Sequence, residues 1–191
     1  MRQRGHFSSC SIGLILCLAT TFLAGCLINE ETEYILTLNE DGHSGTLSVV
    51  QRHVESDAQE ADAQRKDFDE LIANWKGDRH LLDQMEKGLY VKNRSLRNEK
   101  GILVWRETCI FSDIDKLLPR YSSDDTLRFP LHNTKGLEIH SNGKLVAMQD
   151  SAVILWPPHT TRFELKTKTL EFTSGSGFAT RFSAMTKKRT R

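Results

Sequence analysis

The sequence predicts an α+β fold: a mainly antiparallel sheet built of hairpins, with two amphipathic helices packed on one of its faces. Three observations lead there. Strand-like runs come in pairs joined by turn-forming residues, one long and one shorter stretch carry apolar side chains at helical spacing, and the second half is almost wholly strand-like. The order of hairpin, two helices, hairpin, helical turn and further strands does not alternate strand with helix, which argues against a doubly wound parallel sheet.

The chain opens with Met1, Arg2, Gln3 and Arg4, two positive charges and no acid, as in the segment of an export signal that stays in the cytoplasm. Residues 12–23 are apolar or weakly polar and too short to cross a hydrocarbon core of roughly 30 Å, so they read as the apolar region of a signal peptide. Leu23, Ala24, Gly25 and Cys26 follow, with small residues that let a protease approach the extended backbone. This stretch resembles the lipobox of bacterial lipoproteins. The resemblance covers the first 26 positions and implies cleavage between Gly25 and Cys26, a diacylglyceryl group on the Cys26 thiol and acylation, such as palmitate, of the new amino terminus. An ordinary secretory signal cut after Ala24-Gly25, or an uncleaved helix, is the alternative. Two or more chains hold a protein stably on a bilayer where one does not. Leu27 rather than Asp after the cysteine points to the outer membrane in a diderm cell. Residues 1–25 are thus expected to be signal, 26–32 a lipidated tether, 33–186 one α+β domain, and 187–191 a disordered basic tail.

Within the domain, residues 33–39 and 46–54 form a first hairpin around the turn-rich 40–45. Ser56, with Gln59 three positions on, has the spacing of a helix-start capping box. Ala58, Ala61, Phe68, Leu71, Ile72 and Trp75 share one helical face over residues 57–76, and Asp67, Asp69 and Glu70 read as its solvated acids. Gly77 breaks this helix, and Asp78 is placed to cap a shorter one through Leu81, Leu82 and Met85 to Gly88. Residues 89–96 and 102–111 form a second hairpin, and 113–118 a helical turn opened by Ser112. Strands are then expected at 127–132, 137–140, 144–149, 153–156, 163–172 and 178–185. Asn142-Gly143 reads as a two-residue hairpin turn at positive φ, and a bulge between Lys166 and Thr169 would reconcile Phe163 and Leu165 with Leu170 and Phe172. The helix layer between hairpins over residues 46–118 is similar in layout to LppM-type lipoprotein domains, which implies a membrane-proximal body.

Removing residues 1–25 leaves 166 of the 191 residues, enough for one core. The precursor charge of +1 becomes about −1 when Arg2 and Arg4 leave, a balance that gives no reason to expect nucleic-acid binding. Cys10 and Cys17 leave with the signal and Cys26 takes lipid, so Cys109 is left without a disulfide partner and reads as a small buried hydrophobe. No G-x-S-x-G elbow, phosphate-binding glycine loop or paired-histidine helix occurs, and no cofactor or metal is implied. Gly175-Ser176-Gly177 and Asp124-Asp125 have loop composition. His132 and His140 could meet across strands near Cys109. Trp75 and Trp105 read as core. Trp156 and His159, around two strand-ending prolines, are the candidate contact residues for a partner. The expected function is a non-enzymatic binding or assembly module of the cell envelope, held to the lipid bilayer through acylated Cys26. A carrier of a lipid or other apolar ligand, or an enzyme with a dispersed site, is the alternative.

Overall fold

A computed structural model of the chain describes residues 27–118, 126–173, 175 and 177–187. Cys26, the leader, Asp124-Asp125, Ser176 and residues 188–191 of the expected tail lie outside these. The fold is α+β with mostly antiparallel sheets. A six-stranded sheet, in the order β3 (Leu89–Glu99), β4 (Ile102–Phe111), β2 (Gly45–Ser56), β1 (Leu27–Leu38), β9 (Arg162–Thr169) and β6 (Leu137–Ser141), is joined by a three-stranded sheet in the order β5 (Leu127–His132), β8 (Ser151–Trp156) and β7 (Lys144–Ala147).

The first hairpin pairs β1 (Leu27–Leu38) with β2 (Gly45–Ser56) from Leu27 opposite Ser56 to Leu38 opposite Gly45. β1 therefore starts six residues before the expected boundary, and residues 27–32 are strand rather than tether. The 39–44 turn is held by Asp41, whose carboxylate accepts from the Ser44 hydroxyl and from the amides of His43 and Ser44. Those bonds, the Ser44 hydroxyl first, pull its pKa down to about 2. Gly45 is required here because a Cβ would lie 2.1 Å from the Thr37 carbonyl oxygen. The second hairpin, β3 (Leu89–Glu99) with β4 (Ile102–Phe111), adds to β2 through β4, and β3 bulges between Val91 and Asn93.

Helix α1 (Ala61–Lys76) starts four residues later than expected, with Glu60 at its N-cap and no capping side chain. Ser56 does something else: its hydroxyl donates to the buried Asp67 carboxylate and accepts from the Ala58 amide, so Asp67 is an interior acid and not a solvated one. The carbonyls at the end of α1 are satisfied by β3, where the Arg94 guanidinium donates to Asn74 O at 2.9 Å and Gly77 O at 2.8 Å. Helix α2 (Arg79–Glu86) follows, and the Asp78 side chain makes no capping bond to it. Ile114–Lys116 form the expected helical turn as a 3-10 helix, started by Asp113.

Strands β5 (Leu127–His132), β6 (Leu137–Ser141), β7 (Lys144–Ala147), β8 (Ser151–Trp156) and β9 (Arg162–Thr169) stand close to their expected places. Two expectations fail. Residues 178–185 are not a strand but most of helix α3 (Phe178–Lys187), so Lys187 also belongs to a helix. Phe178, Ala179, Phe182 and Met185, at i, i+1, i+4 and i+7, put one face of it against Val54, Leu96, Leu103 and Trp105. And β9 ends at Thr169, so no bulge is needed to place Leu170 and Phe172.

By register, one face of the large sheet carries Thr32, Tyr34 and Leu36 beside Leu47, Val49 and Gln51, and Trp105, Glu107, Cys109 and Phe111 beyond them. Its other face carries a charge lattice, in which Arg52 meets Glu31 at 3.1 Å and Glu33 at 3.3 Å, and Lys166 meets Glu31 at 2.8 Å. The left-handed His53, at φ 59°, interrupts the alternation of β2, and Val54, Glu55 and Ser56 are buried in succession.

Candidate functional site

Two apolar clusters share the inner face of the large sheet. The first gathers Phe68 and Leu71 of α1 and Phe178, Ala179 and Phe182 of α3 on Val54, Leu96, Leu103 and Trp105. Aromatic rings meet edge-on there, Phe68 with Phe178 at 5.2 Å and Trp75 with Phe182 at 5.4 Å. Glu55, itself buried, accepts from the Phe178 amide at 3.4 Å and so meets the positive end of α3. Asn98 ties the helix down from β3, donating to Ala179 O and to the Ser183 hydroxyl. The second cluster sets Leu127, Leu131, Ala152, Ile154 and Trp156 of the small sheet against Leu36, Leu47, Phe163 and Leu165 of the large one.

Between the clusters lies a polar seam. His80 Nε2 of α2 sits 2.6 Å from Glu107 Oε2, both side chains at most 4% exposed, and Cys109 Sγ donates to Glu107 Oε1 at 3.3 Å. Burial first, and the Glu107 charge second, push the Cys109 thiol well above its ordinary pKa, which is the opposite of nucleophile activation. Cys109 is buried as expected, and this group, shut off from solvent, is structural.

The two sheets are riveted where the chain passes from one to the other. β6 pairs with β9 in the large sheet and β7 with β8 in the small one, so Asn142-Gly143 is a corner between sheets and not a hairpin turn. Neither residue has positive φ. Asn142 Oδ1 accepts from Trp156 Nε1 at 2.8 Å and from the Glu164 amide at 2.9 Å, and its Nδ2 donates to Arg162 O at 2.8 Å. Gly143 lies so close that a Cβ would come within 2.6 Å of Ile154 Cγ2 and Trp156 Nε1. This corner holds the sheets in register without bringing all of their inner surfaces into contact.

The result is a cavity of about 320 Å³ between the sheets. Its deep end is walled by Leu36, Leu47, Leu117, Leu118, Trp156 and Phe163, all of them buried. Tyr34 also lines it, and the Tyr34 hydroxyl has no hydrogen-bond partner among the described residues. Burial alone pushes that phenol well above its ordinary pKa. Asn29, Thr167, Thr169, Leu137 and the exposed His132 and Asn133 line the other end, which is the mouth.

Of the residues singled out from sequence, Trp156 is 3% exposed and its ring meets Phe163 edge-on at 5.3 Å, so it lines the cavity and is not a loop-edge contact. His159 is exposed in the loop between β8 and β9. The structure does not bring His132 and His140 together: His132 is at the cavity mouth, while His140 pairs with Glu138 at 2.9 Å on β6 and lines a separate groove with Glu33 and Lys166. Among the described residues, no group of three or more His, Cys, Asp or Glu side chains is placed to hold a metal ion, and no helix is long and apolar enough to cross a membrane. Sequence reasoning singled out two of the lining residues, Trp156 and His132, but in other roles, because the lining comes from six strands of two sheets and the segment after β4. No protein-family model, curated protein or solved structure matches the chain.

Proposed function

We propose that this protein is a lipoprotein anchored through acylated Cys26 that carries the apolar chain of an amphiphile in the cavity between its two sheets. The observation that carries this reading is the cavity itself: about 320 Å³ walled at its deep end by Leu, Phe and Trp side chains, with the Tyr34 side chain beside them. An apolar void of roughly 150 Å³ already takes benzene, and ligand sites start at roughly 300 Å³. The space is at the small end of ligand sites and suits one acyl chain.

The two amphipathic helices, on this reading, shield the same face of the large sheet beside the cavity and leave its mouth uncovered. The lipobox supports export and attachment, and Leu27 after Cys26 favours the outer membrane of a diderm cell. No catalytic role is assigned. A second reading, an assembly module of the envelope, is favoured by the edge strand β7, all of whose residues are exposed and which presents Leu145 and Val146.

Native mass spectrometry of the acylated protein extracted from its own membrane tests the carrier reading. The expected spectrum contains a non-covalent adduct of amphiphile mass that excess decanoate displaces. A bare protein mass that decanoate does not shift overturns it. For the anchor, Cys26→Ser should move the protein from the membrane to the soluble fraction and abolish labelling by a radioactive fatty acid.

A further inference from the structure

The mouth of the cavity lies at the end of the fold where β1 begins at Leu27, the residue that follows Cys26 in the sequence. Asn29, which lines the mouth, is the third residue of β1 and three residues beyond Cys26 in the sequence, at most roughly 11 Å of extended chain. Because β1 begins at Leu27, no slack separates this end from an acyl anchor.

The rim is one connected belt. The Met148 amide donates to Ser151 O at 2.8 Å, the Thr134 amide to Asp150 O at 3.2 Å, and the Leu170 amide to Gly136 O at 2.9 Å. The Thr169 hydroxyl closes it by donating to Asn29 O at 3.5 Å. On this belt stand Leu170 at 62% exposure and Met148 at 55%, two of the most exposed large apolar side chains among the described residues. Phe172 follows, its ring 4.8 Å from that of His53.

We infer that this rim is a membrane-contacting portal: Met148 and Leu170 enter the bilayer surface to which Cys26 is attached, and the cavity takes its acyl chain directly from the lipid phase. The occupant of the apolar rim is thus the bilayer, and position argues for it, since the anchor and the mouth share one end of the fold. Passage along this route keeps the chain out of water, where each exposed methylene costs about 0.8 kcal/mol. The inference rests on the carrier reading and deepens it by naming the source of the ligand.

The test compares delivery from lipid with delivery from water. The acylated protein and its Met148→Glu/Leu170→Glu variant are reconstituted in phosphatidylethanolamine and phosphatidylglycerol vesicles. Uptake of a pyrene-labelled fatty acid held in those vesicles is followed by fluorescence, and binding of decanoate from solution is measured separately. Both substitutions are on exposed side chains, so the variant should fold and bind decanoate with affinity within about twofold of the parent, while uptake from vesicles slows by about tenfold. Equal rates of vesicle uptake overturn the portal and leave the carrier reading intact. Failure of the parent to take either ligand overturns both. Decanoate binding seen only with Cys26→Ser would put the protein's own acyl chain in the cavity and also overturn the portal.

Discussion

One face of the large sheet is covered in two ways, and only one of them fills the space. Over Val54, Leu96, Leu103 and Trp105, helices α1 and α3 deliver Phe68, Phe178 and Phe182 on rotatable side chains that reach into one another. Over Leu36, Leu47 and Phe163, a second sheet of three strands of six residues or fewer faces two strands of twelve, and about 320 Å³ stays unfilled. Sheets twist, and a short one follows a long twisted one only over part of its area. The difference teaches that the cavity comes from the choice of covering element on a shared floor.

The polar seam between these regions is where the comparison is most easily broken. His80→Ala leaves the Glu107 carboxylate buried with, among the described residues, only the Cys109 thiol to donate to it. That should cost about 3–5 kcal/mol, and His80→Ala/Glu107→Leu should recover much of the loss. Urea unfolding measures both. If decanoate affinity, taken at low temperature, stays within about twofold of the parent, the helix-covered half and the cavity are energetically separate. A parallel fall would make them one unit.

Gly143→Ala attacks the other half. Its methyl has to displace Ile154 or the Trp156 indole, each 2.6 Å from the Cβ position, so a loss of about 1–3 kcal/mol is expected. Here the ligand should suffer too, because the Asn142–Trp156 bond that sets the sheet spacing is strained at the same point. A variant as stable as the parent that binds decanoate normally would show that the corner does not hold the cavity open.

These two sites also show what could be read from sequence. Hairpins and helices whose signals are local, such as 89–111 and 61–76, were legible because apolar period and turn residues lie within one element. The i, i+4, i+7 pattern of Phe178, Phe182 and Met185 was equally present, but its Phe and Thr content favoured a strand. Asn142-Gly143 has the composition of a tight turn, and only its partners, 14 and 22 residues away, make it a corner. Ser56 and Asp67, eleven residues apart, displaced a capping box in the same way. The cavity left no trace, since a void is a property of the space between strands.

Cys109 gives a smaller effect and a defined pH window. Folding holds its thiol protonated above the ordinary value of 9.0, so the unfolded chain loses this proton first. Above that pH the unfolded state binds fewer protons, and stability falls as pH rises, by up to about 1.4 kcal/mol per unit. Cys109→Ala should flatten that slope in urea titrations between neutral and alkaline pH. An unchanged slope would assign it elsewhere, Tyr34 being the other group raised by burial.

The finest distinction between the two halves is whether the unfilled one is dry. In a dry cavity the Tyr34 hydroxyl is an unsatisfied donor, and Tyr34→Phe should stabilise the ligand-free protein by about 0.5–1 kcal/mol while leaving the affinity for decane unchanged. If a water occupies the cavity and accepts from Tyr34, the same change removes a satisfied bond and lowers the melting temperature instead. An amphiphile whose hydroxyl or carboxyl reaches Tyr34 would lose affinity in Tyr34→Phe by several-fold relative to decane. Calorimetry with decane, decanol and decanoate on both proteins separates a pocket that reads only chain length from one that also reads where the chain carries oxygen.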